Sequence, residues 1–425
     1  MTLDTGVYIA VSIFILTYIF IISEKINRTS IALFGASLLI GLRIISQEYA
    51  FDTIDFNTIG LLVGMMVIVS IVKKTGIFQY VAIKAAKSAK GDPFKIILIL
   101  SIITAVSSAL LDNVTTVLLI VPVTLVITET LKTNPLPFLI PEILAANIGG
   151  TATLIGDPPN IMIGSATNLG FMDFVLNLGP IVVIILIATL FIIKFIYGNS
   201  MDVSQELKDK LMKFDENKSI RDYKLLKQSL FVLALTMIGF ITHQYLGLES
   251  ATVALIGASL LLIISKLDPE DILLEVEWST IFFFAGLFVL VGGLEKVGVI
   301  EFLAKEVLNL TKGNLMLTTL MILWVSALAS AFIDNIPFVA TMIPLIKSIG
   351  SMSGIAIGPL WWALALGACL GGNGSLVGAS ANVIVAGFLQ KTDHKLSFVK
   401  FLKVGFPIMI VSVIISSIYL VLFYV

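Results

Sequence analysis

The sequence predicts an all-α polytopic membrane protein made of two inverted-topology repeats. Each repeat is expected to have five transmembrane helices, a re-entrant helical hairpin and a broken helix. Hydrophobic residues make up 58% of the 425 positions and charged residues 13%, which leaves too few polar groups to cover a water-soluble protein of this size. Apolar runs of roughly 17 to 25 residues, the length that crosses ~30 Å of hydrocarbon, recur along the chain. The chain also repeats itself.

The internal repeat is clearest at polar residues with apolar flanks. Asp112-Asn113 corresponds to Asp334-Asn335, which lies 222 positions later. At the same spacing and without a gap, the run 149–160 corresponds to 371–382. Two similar halves, each with a glycine-rich polar break inside an apolar stretch, are typical of secondary transporters whose site lies between the halves.

The apolar runs divide the chain into a first repeat at 1–197, a charged linker at 198–227 and a second repeat at 228–425. The predicted spans are 6–23, 30–46, 57–72, 137–168 and 173–197, then 228–246, 251–265, 278–294, 358–390 and 398–425. The spans 137–168 and 358–390 are the broken helices. The hairpins, at 94–128 and 313–349, leave the membrane on the side they enter. Because five crossings is an odd number, the second repeat starts on the opposite face, and the halves must be inverted.

The basic residues predict which side faces the cytoplasm. Of the 27 Lys and Arg residues, 22 fall on the side of the first loop, which we call side B, and five fall on the opposite side, side A. By the positive-inside rule, side B is cytoplasmic, the linker is inside and both termini are outside the cell membrane. The first apolar run is expected to be retained, since no small-residue cleavage pattern follows it. The single cysteine, Cys369, excludes an internal disulfide and a multi-thiolate metal site.

The hairpin turns carry two carboxylates, Asp112 and Asp334, without the Lys, Trp or Tyr that marks a water interface. If the arms cross the membrane, each Asp is a helix N-cap in water. If they are re-entrant, the carboxylate costs about 2.5 to 3.5 kcal/mol near the midplane and needs a cation, a proton or a partner. The flanking sequence favours the re-entrant arrangement. The candidate ion-binding residues at the tips are Asp112, Asn113, Thr115, Thr116, Asp334 and Asn335, with Na⁺ as the candidate metal at the two Asp-Asn pairs.

The broken helices supply the second set of candidate residues. Gly149-Gly150, Gly156 and Pro158-Pro159 together cannot continue an α-helix. Freed backbone groups at bilayer depth must face a cavity or be paired again, so the break predicts a ligand or ion site. The alternative is a kinked helix with small residues for close packing. The candidate binding residues are Asn147, Gly149, Gly150, Thr151, Thr153, Gly156, Asp157 and Asn160 in the first half, and Gly371, Gly372, Asn373, Ser375, Gly378 and Asn382 in the second. In the second half Ala379 replaces Asp157.

These two motifs resemble a known group. Asp112-Asn-Val-Thr-Thr and Asn147-Ile-Gly-Gly-Thr-Ala-Thr-Leu-Ile-Gly-Asp-Pro-Pro-Asn160 are similar to the ion transporter superfamily, closest to the branch with arsenite permeases, NhaD-type sodium/proton antiporters and the melanosomal P protein. The resemblance implies sites where hairpin tips meet broken helices, an elevator-like movement, a homodimer and, for arsenical transport, an ATPase partner. The more distant dicarboxylate carriers have Ser-Asn-Thr at both tips. Aspartates at these positions disfavour a dianionic substrate unless their charge is neutralised.

The sequence therefore predicts a secondary active transporter, coupled to H⁺ or Na⁺, that exports an arsenite- or antimonite-like inorganic solute or Na⁺ by an elevator-type alternating-access mechanism. A Na⁺-coupled symporter of citrate, a dicarboxylate or another anion is the alternative, and a gated ion channel is the third reading. An enzyme is not expected, because Leu154-Ile155-Gly156 before Asp157 lacks the first glycine of an intramembrane aspartyl protease motif. The expected partners are the lipid bilayer and a small inorganic or organic ion, with no cofactor besides a bound Na⁺ and no nucleic acid. Glu142 is ambiguous, since solvation near the cytoplasmic surface suffices to explain it.

Overall fold

A computed structural model describes residues 3–23, 25–198, 202–390, 392 and 394–425. The described residues form 21 α-helices and no β-strand, so the all-α prediction is confirmed. In the first half the helices are α1 (Leu3–Ser23), α2 (Arg28–Gly41), α3 (Gln47–Asp52), α4 (Phe56–Lys74), α5 (Ile77–Ser88), α6 (Pro93–Leu110), α7 (Asn113–Thr130), α8 (Leu136–Gly150), α9 (Pro158–Thr167) and α10 (Phe171–Tyr197). The linker holds α11 (Gln205–Met212). In the second half they are α12 (Tyr223–Leu246), α13 (Ser250–Ser265), α14 (Pro269–Leu273), α15 (Trp278–Lys296), α16 (Val299–Thr311), α17 (Leu315–Phe332), α18 (Asn335–Ser353), α19 (Gly358–Gly371), α20 (Ser380–Gln390) and α21 (Phe398–Phe423).

Two of the sequence predictions fall partly outside the described residues. The predicted linker includes residues 199–201, and the count of side B basic residues includes Lys391. The linker begins to be described again at residue 202.

Each helix from α1 to α10 has a counterpart from α12 to α21 at the spacing of the internal repeat. The contacts between the halves are reciprocal. Helix α2 packs against α15, while α13, the counterpart of α2, packs against α4, the counterpart of α15. In the same way α7 packs against α20 and α18 packs against α9. Such exchanged contacts are the pattern that a pseudo-two-fold axis between two repeats produces.

The helices divide into two groups. The first group, which we call the outer group, consists of α1, α2, α4, α12, α13 and α15, which pack mainly on one another. The second, the hairpin group, contains the hairpins α6–α7 and α17–α18, the broken helices α8–α9 and α19–α20, and α10 and α21. The groups meet where α9 contacts α4 and where α18 contacts α15. The candidate site lies along this boundary.

Within the hairpin group, the first arm of each hairpin holds the broken helix of its own half. Ser108 Oγ on α6 donates to the Ala146 carbonyl oxygen at 2.6 Å, and Ser330 Oγ on α17 donates to the Ala368 carbonyl oxygen at 2.6 Å. The backbones approach closely enough to require glycine, since a Cβ at Gly371 would lie 2.6 Å from the Ala327 carbonyl oxygen. Small residues of this kind allow close helix packing in membranes.

Ten described helices are long and apolar enough to cross a bilayer. They include the four hairpin arms, and four shorter apolar helices, α2, α8, α13 and α20, lie beside them. The predicted span 30–46 is wrong at its end, because α2 stops at Gly41. There Arg43 adopts a left-handed conformation with φ of 60°, and the Ile44 amide returns to the Leu39 carbonyl at 2.9 Å. The chain therefore turns before α3 begins.

Candidate functional site

Both hairpin tips are helix N-termini capped by aspartate. Asp112 opens α7, and its carboxylate accepts hydrogen bonds from the Thr115 amide at 2.7 Å and the Thr115 hydroxyl at 2.5 Å. Asp334 opens α18 and accepts from the Ile336 amide at 3.2 Å. An Asp at the N-cap satisfies amides that have no partner inside the helix. Both aspartates are partly buried, and Asn113 and Asn335 beside them are both 3% exposed.

The second tip carries an ion pair to the other half of the chain. Arg28 at the start of α2 donates from Nη1 to Asp334 Oδ2 at 2.8 Å and to Ser380 Oγ at 2.9 Å. Ser380 in turn donates to Asp334 at 2.9 Å, and the guanidinium lies 5.1 Å from the centre of the Phe283 ring. Arg28 therefore joins the outer group to the hairpin group. It was assigned from the sequence to a basic loop and was missed as a site residue.

Asp157 lies between the two tips, at the end of the first break. It is 1% exposed, and its two carboxylate oxygens lie 3.3 and 3.4 Å from Asn335 Nδ2 on the opposite hairpin. None of the ion pairs between described residues includes Asp157. Asp334 and Asp112 are close enough to repel a charge there. A buried carboxylate among like charges is costly unless a cation or a proton compensates it.

Four buried asparagines connect the first tip to both breaks. Asn113 Nδ2 donates to Asn147 Oδ1 at 3.1 Å. Asn147 Nδ2 then donates to Asn373 Oδ1 at 2.9 Å and to Asn382 Oδ1 at 3.0 Å. These residues come from the first hairpin, the first broken helix and the second break with its following helix. The first tip is therefore joined to the second break by a continuous chain of side-chain hydrogen bonds.

The freed carbonyls of both breaks are paired again by the protein. Asn160 Nδ2 lies 3.1 Å from the Thr151 carbonyl and 2.9 Å from the Thr153 carbonyl. Its counterpart, Asn382 Nδ2, lies 2.7 Å from the Gly372 carbonyl and 2.9 Å from the Ser375 carbonyl. This re-pairing is one of the two ways in which irregular backbone is tolerated at membrane depth. These amides accordingly hold the shape of the breaks.

A subset of the predicted residues faces open space. A small cavity of about 50 Å³ between the groups is lined by Asp112, Asn113, Asp157 and Asn335, together with residues that were not predicted, including Arg28, Glu277, Thr280 and Ser380. Thr115 and Asp334 line neighbouring cavities. None of these cavities is lined by the remaining predicted residues, Thr116, Asn147, Gly149, Gly150, Thr151, Thr153, Gly156, Asn160, Gly371, Gly372, Asn373, Ser375, Gly378 and Asn382.

A larger cavity extends from the tips toward side B. It measures about 520 Å³, and it shares Met66 and Glu277 with the small cavity. Its far end carries the basic residues Lys73, Lys74 and Arg221. Lys74 forms an ion pair with Glu275 at 2.7 Å. This cavity is therefore basic where it reaches the loops of side B.

The pseudo-symmetric position on the other face holds a cavity of the opposite charge. It measures about 400 Å³ and is lined by Asp52, Asp55, Glu295 and Lys347. Asp55 and Glu295 occupy the positions that correspond to Glu277 and Lys73 of the side B cavity. Asp55 is the N-cap residue of α4, and Glu277 is the N-cap residue of the corresponding helix α15. This recurrence of an acidic residue in the two halves is the sequence signal that could have identified Glu277.

Two further residues, Glu142 and Cys369, are buried inside the protein. Glu142, for which solvation was considered, is 1% exposed and lies inside the protein. Cys369 occupies the position of Asn147 in the second half, is fully buried, and lies 3.6 Å from Asn160 Oδ1. The described residues contain no group of three or more His, Cys, Asp or Glu side chains arranged to hold a metal ion.

Comparison with known proteins identifies relatives across the whole chain. A family model described as citrate transporter, CitMHS, matches residues 18–367. An uncharacterised transporter of Mycobacterium tuberculosis is 45% identical over 98% of both chains. A 46 kDa membrane protein of Mycobacterium leprae is 44% identical, also over 98% of both. The P protein of Homo sapiens is 34% identical over 99% of this chain and 60% of its own length. The resemblance to the branch that contains the P protein is confirmed.

The solved structures extend the similarity of the fold. The YdaH transporter of Alcanivorax borkumensis superposes with a TM-score of 0.61 at 12% identity, over 98% of this chain and 97% of that one. MtrF of Neisseria gonorrhoeae, described with a class of antimetabolite efflux pumps, superposes with a TM-score of 0.61 at 12% identity, over 91% of this chain and 84% of that one. At this identity the likeness concerns the fold alone.

Proposed function

Because the chain belongs to the citrate transporter family, CitMHS, and is a multi-pass membrane transporter, we propose that it is a secondary active transporter coupled to H⁺ or Na⁺. Its hairpin tips and the first break form the coupling site. The hairpin group moves against the outer group in an elevator-type cycle, and the cargo is exported.

The observation that carries this proposal is the environment of Asp157. A carboxylate at membrane depth costs about 2.5 to 3.5 kcal/mol, and the Asn335 amide at 3.3 Å is a neutral partner. Arg28, which is the one basic side chain among the described residues that line the small cavity, is already paired with Asp334. Binding of H⁺ or Na⁺ at Asp157 removes the uncompensated charge, so occupation of this site and the stability of the surrounding packing are linked.

The two cavities support alternating access. In this conformation the tips adjoin the side B cavity through Met66 and Glu277, and the pseudo-symmetric cavity on side A shares no lining residue with the small cavity. Alternating access requires a site that is connected to one face of the membrane at a time, and this arrangement is consistent with that requirement. The exchange of the two arrangements by the pseudo-two-fold axis generates the opposite state.

The charges at the site favour a cargo that does not arrive as a free polyanion. Asp112, Asp157 and Glu277 line the small cavity, and Arg28 already forms an ion pair with Asp334. A neutral hydroxide such as arsenous or antimonous acid, or Na⁺ itself, meets no repulsion from three carboxylates. We therefore propose an inorganic solute as the first candidate class of cargo, exported in exchange for the coupling cation.

Citrate or another carboxylate anion is the second candidate, in cotransport with Na⁺. The description of the family supports it, and so do Lys73, Lys74 and Arg221, which give the side B cavity a positive character. In that case the coupling cation must bind first, because it neutralises the carboxylates before the anion reaches the tips.

The test is transport by purified protein in liposomes, with Na⁺ and pH gradients imposed separately. Radiolabelled arsenite, Na⁺ and citrate serve as cargoes. We expect one of them to accumulate against its gradient only when an H⁺ or Na⁺ gradient is present. Downhill ion flow at channel rates, without accumulation of any cargo under either gradient, would contradict the proposal.

We further propose that side B is cytoplasmic and that the protein is a homodimer in the cell membrane. Contacts between loops remain within one predicted side. On side B the Arg221 amide donates to the Thr75 carbonyl at 3.0 Å, and Lys87 pairs with Glu216. On side A, Gln244 Nε2 donates to Asp173 at 2.9 Å. This grouping supports five crossings in each half.

Cysteines introduced at Ser204 and Glu249, in a Cys369→Ala background, test the orientation. An impermeant thiol reagent applied to intact cells is expected to modify the cysteine at 249, and the cysteine at 204 only after the membrane is opened. Both positions are exposed. Modification of both from the same face would refute the inverted arrangement. Cross-linking of the purified protein in lipid, with the monomer mass as the contrary result, tests the dimer.

A further inference from the structure

The packing of α7 against α8 buries a carboxyl group away from the hairpin tips. Glu142 is 1% exposed, and its Oε1 lies 2.7 Å from the Thr124 hydroxyl on α7. Its Oε2 is buried and has no hydrogen-bond partner among the described residues. The apolar side chains around this pair, including Val123, Ile127 and Ile143, belong to one buried cluster.

No charged group among the described residues compensates this carboxyl. The charged residues on the helices packed against α7 and α8 are exposed or half-exposed and lie toward helix ends: Lys84, Lys87, Lys95, Asp112, Glu129, Asp173, Lys194, Lys400, Lys403 and the four charged residues of α11. On α19, the buried Cys369 contacts Asn160 instead. None of the ion pairs between described residues includes Glu142. Burial without a compensating charge disfavours the ionised form of Glu142, and a single hydrogen bond, to Thr124, opposes this.

The second half shows that the fold does not need a polar pair at this place. Thr124 and Glu142 correspond to Ile346 and Leu364, which are both fully buried. Helices α18 and α19 pack together as α7 and α8 do. An apolar pair therefore suffices to join the second hairpin to its broken helix, and the polar pair of the first half adds a property that packing alone does not require.

The geometry around Thr124 fits a protonated Glu142. The Thr124 hydroxyl lies 2.7 Å from Glu142 Oε1 and 3.4 Å from the Ile120 carbonyl oxygen. A hydroxyl has one hydrogen and cannot donate to both. If Glu142 carries a proton on Oε1, it donates to Thr124, and Thr124 donates to Ile120. The hydrogen of the Glu142 carboxyl group and the hydrogen of the Thr124 hydroxyl then each have an acceptor.

We propose that Glu142 and Thr124 form a proton-binding site that is separate from the hairpin-tip site and present in the first half alone. Glu142 lies six residues after the first residue of α8, about 9 Å along the helix axis, on the predicted side B end. Asn147, which connects the first tip to the second break, follows on the same helix. Loss of the proton places a charge between α7 and α8. The packing of α7, the second arm of the first hairpin, against α8 therefore depends on the pH at side B.

Infrared spectroscopy of the purified protein in liposomes tests proton binding directly. Spectra of the wild type, Glu142→Gln and Asp157→Asn are compared across about pH 5 to 9, the range in which an ordinary glutamate is ionised. We expect a carboxylic-acid C=O band in the wild type that Glu142→Gln loses and Asp157→Asn keeps. The same acid band in wild type and Glu142→Gln at every pH would overturn the proposal. This measurement needs no transport, so it stands or fails independently of the proposed function.

A second variant guards against a folding defect. Thr124→Ile with Glu142→Leu copies the pair of the second half and is expected to fold. A folded state that holds a proton released by the unfolded chain loses stability as the pH rises. The unfolding temperature of the wild type should therefore fall with rising pH, and that of the double variant should fall less. Equal pH dependence of the two unfolding temperatures would contradict proton binding by Glu142.

Discussion

The two hairpin tips occupy corresponding positions of the internal repeat, but their aspartates have different partners. Asp112 is satisfied by its own helix through the amide and the hydroxyl of Thr115. Asp334 is held across the boundary between the helix groups by Arg28, with Ser380 bridging the pair. At the positions that correspond to Arg28 and Ser380, the other half has Ser250 and Pro158. The first tip is therefore free of the outer group's arginine, and the second is tied to it.

The comparison of the two halves separates the contacts that stabilise the fold from the buried carboxyl groups. Contacts that occur in both halves, such as those made by Asn160 and Asn382, close the breaks of the broken helices. The carboxyl groups buried within one half, those of Asp157 and Glu142, have the apolar counterparts Ala379 and Leu364. A symmetric framework is thus combined with buried carboxyl groups that lie on one side of the pseudo-symmetry.

The largest effect is expected for Asp157→Asn. The amide keeps the volume and can still contact Asn335, but it cannot hold a proton or a cation by charge. Since the interaction must offset a burial cost of about 2.5 to 3.5 kcal/mol, we expect coupled transport to fall by roughly 100-fold or more. The measurement is cargo accumulation in liposomes under the H⁺ and Na⁺ gradients. Full accumulation with an unchanged ion dependence would remove Asp157 from the coupling site.

A charge exchange between the halves sharpens this result. Asp157→Ala combined with Ala379→Asp keeps the number of carboxylates and moves one across the pseudo-symmetry. The tip residue that corresponds to Asn335 is Asn113, and its amide already donates to Asn147 at 3.1 Å. The moved carboxylate therefore lacks its amide partner, and we expect no recovery of transport. Recovery would mean that the halves are equivalent in function.

The second prediction concerns the tie between Arg28 and Asp334. Asp334→Asn leaves the half-buried guanidinium without its carboxylate, which costs more than the loss of the pair itself. Adding Arg28→Gln should therefore restore part of the lost transport. We expect a coupling free energy of about 0.5 to 3 kcal/mol in the double-mutant cycle, which is roughly 2- to 150-fold in rate. Asp112→Asn serves as the matched control.

Strictly additive effects of Arg28→Gln and Asp334→Asn would contradict the tie. In the control, Asn is as good an N-cap as Asp, so Asp112→Asn retains the hydrogen bond from the Thr115 amide. Its effect should be independent of Arg28→Gln, because none of the described contacts joins Arg28 to Asp112.

The sequence predicted the tips and breaks well because their signals are local. The prolines at 158 and 159 start α9, and the aspartate at each tip caps the helix that follows it. It could not predict that Arg28 reaches Asp334, since 306 residues separate them and a basic residue at the start of a helix resembles any loop charge. The burial of Glu142 was equally hidden, because it depends on how α7 seats against α8. Local chemistry fixes where helices begin and end, whereas the partner of a side chain depends on tertiary packing.

The smallest effect tests the part of the comparison in which the halves agree. Ser108→Ala and Ser330→Ala each remove one buried hydrogen bond of 2.6 Å to a helix carbonyl. Each should lower the free energy of unfolding by about 0.5 to 1.5 kcal/mol, and the two losses should be equal because the environments match. Thermal unfolding in detergent measures both. Ser101→Ala is the control, since its buried hydroxyl has no hydrogen-bond partner among the described residues, and its removal should cost no stability. A loss at Ser108 several times that at Ser330 would show that the two hairpins are held to their broken helices by different interactions, and the division between a symmetric framework and one-sided chemistry would then fail.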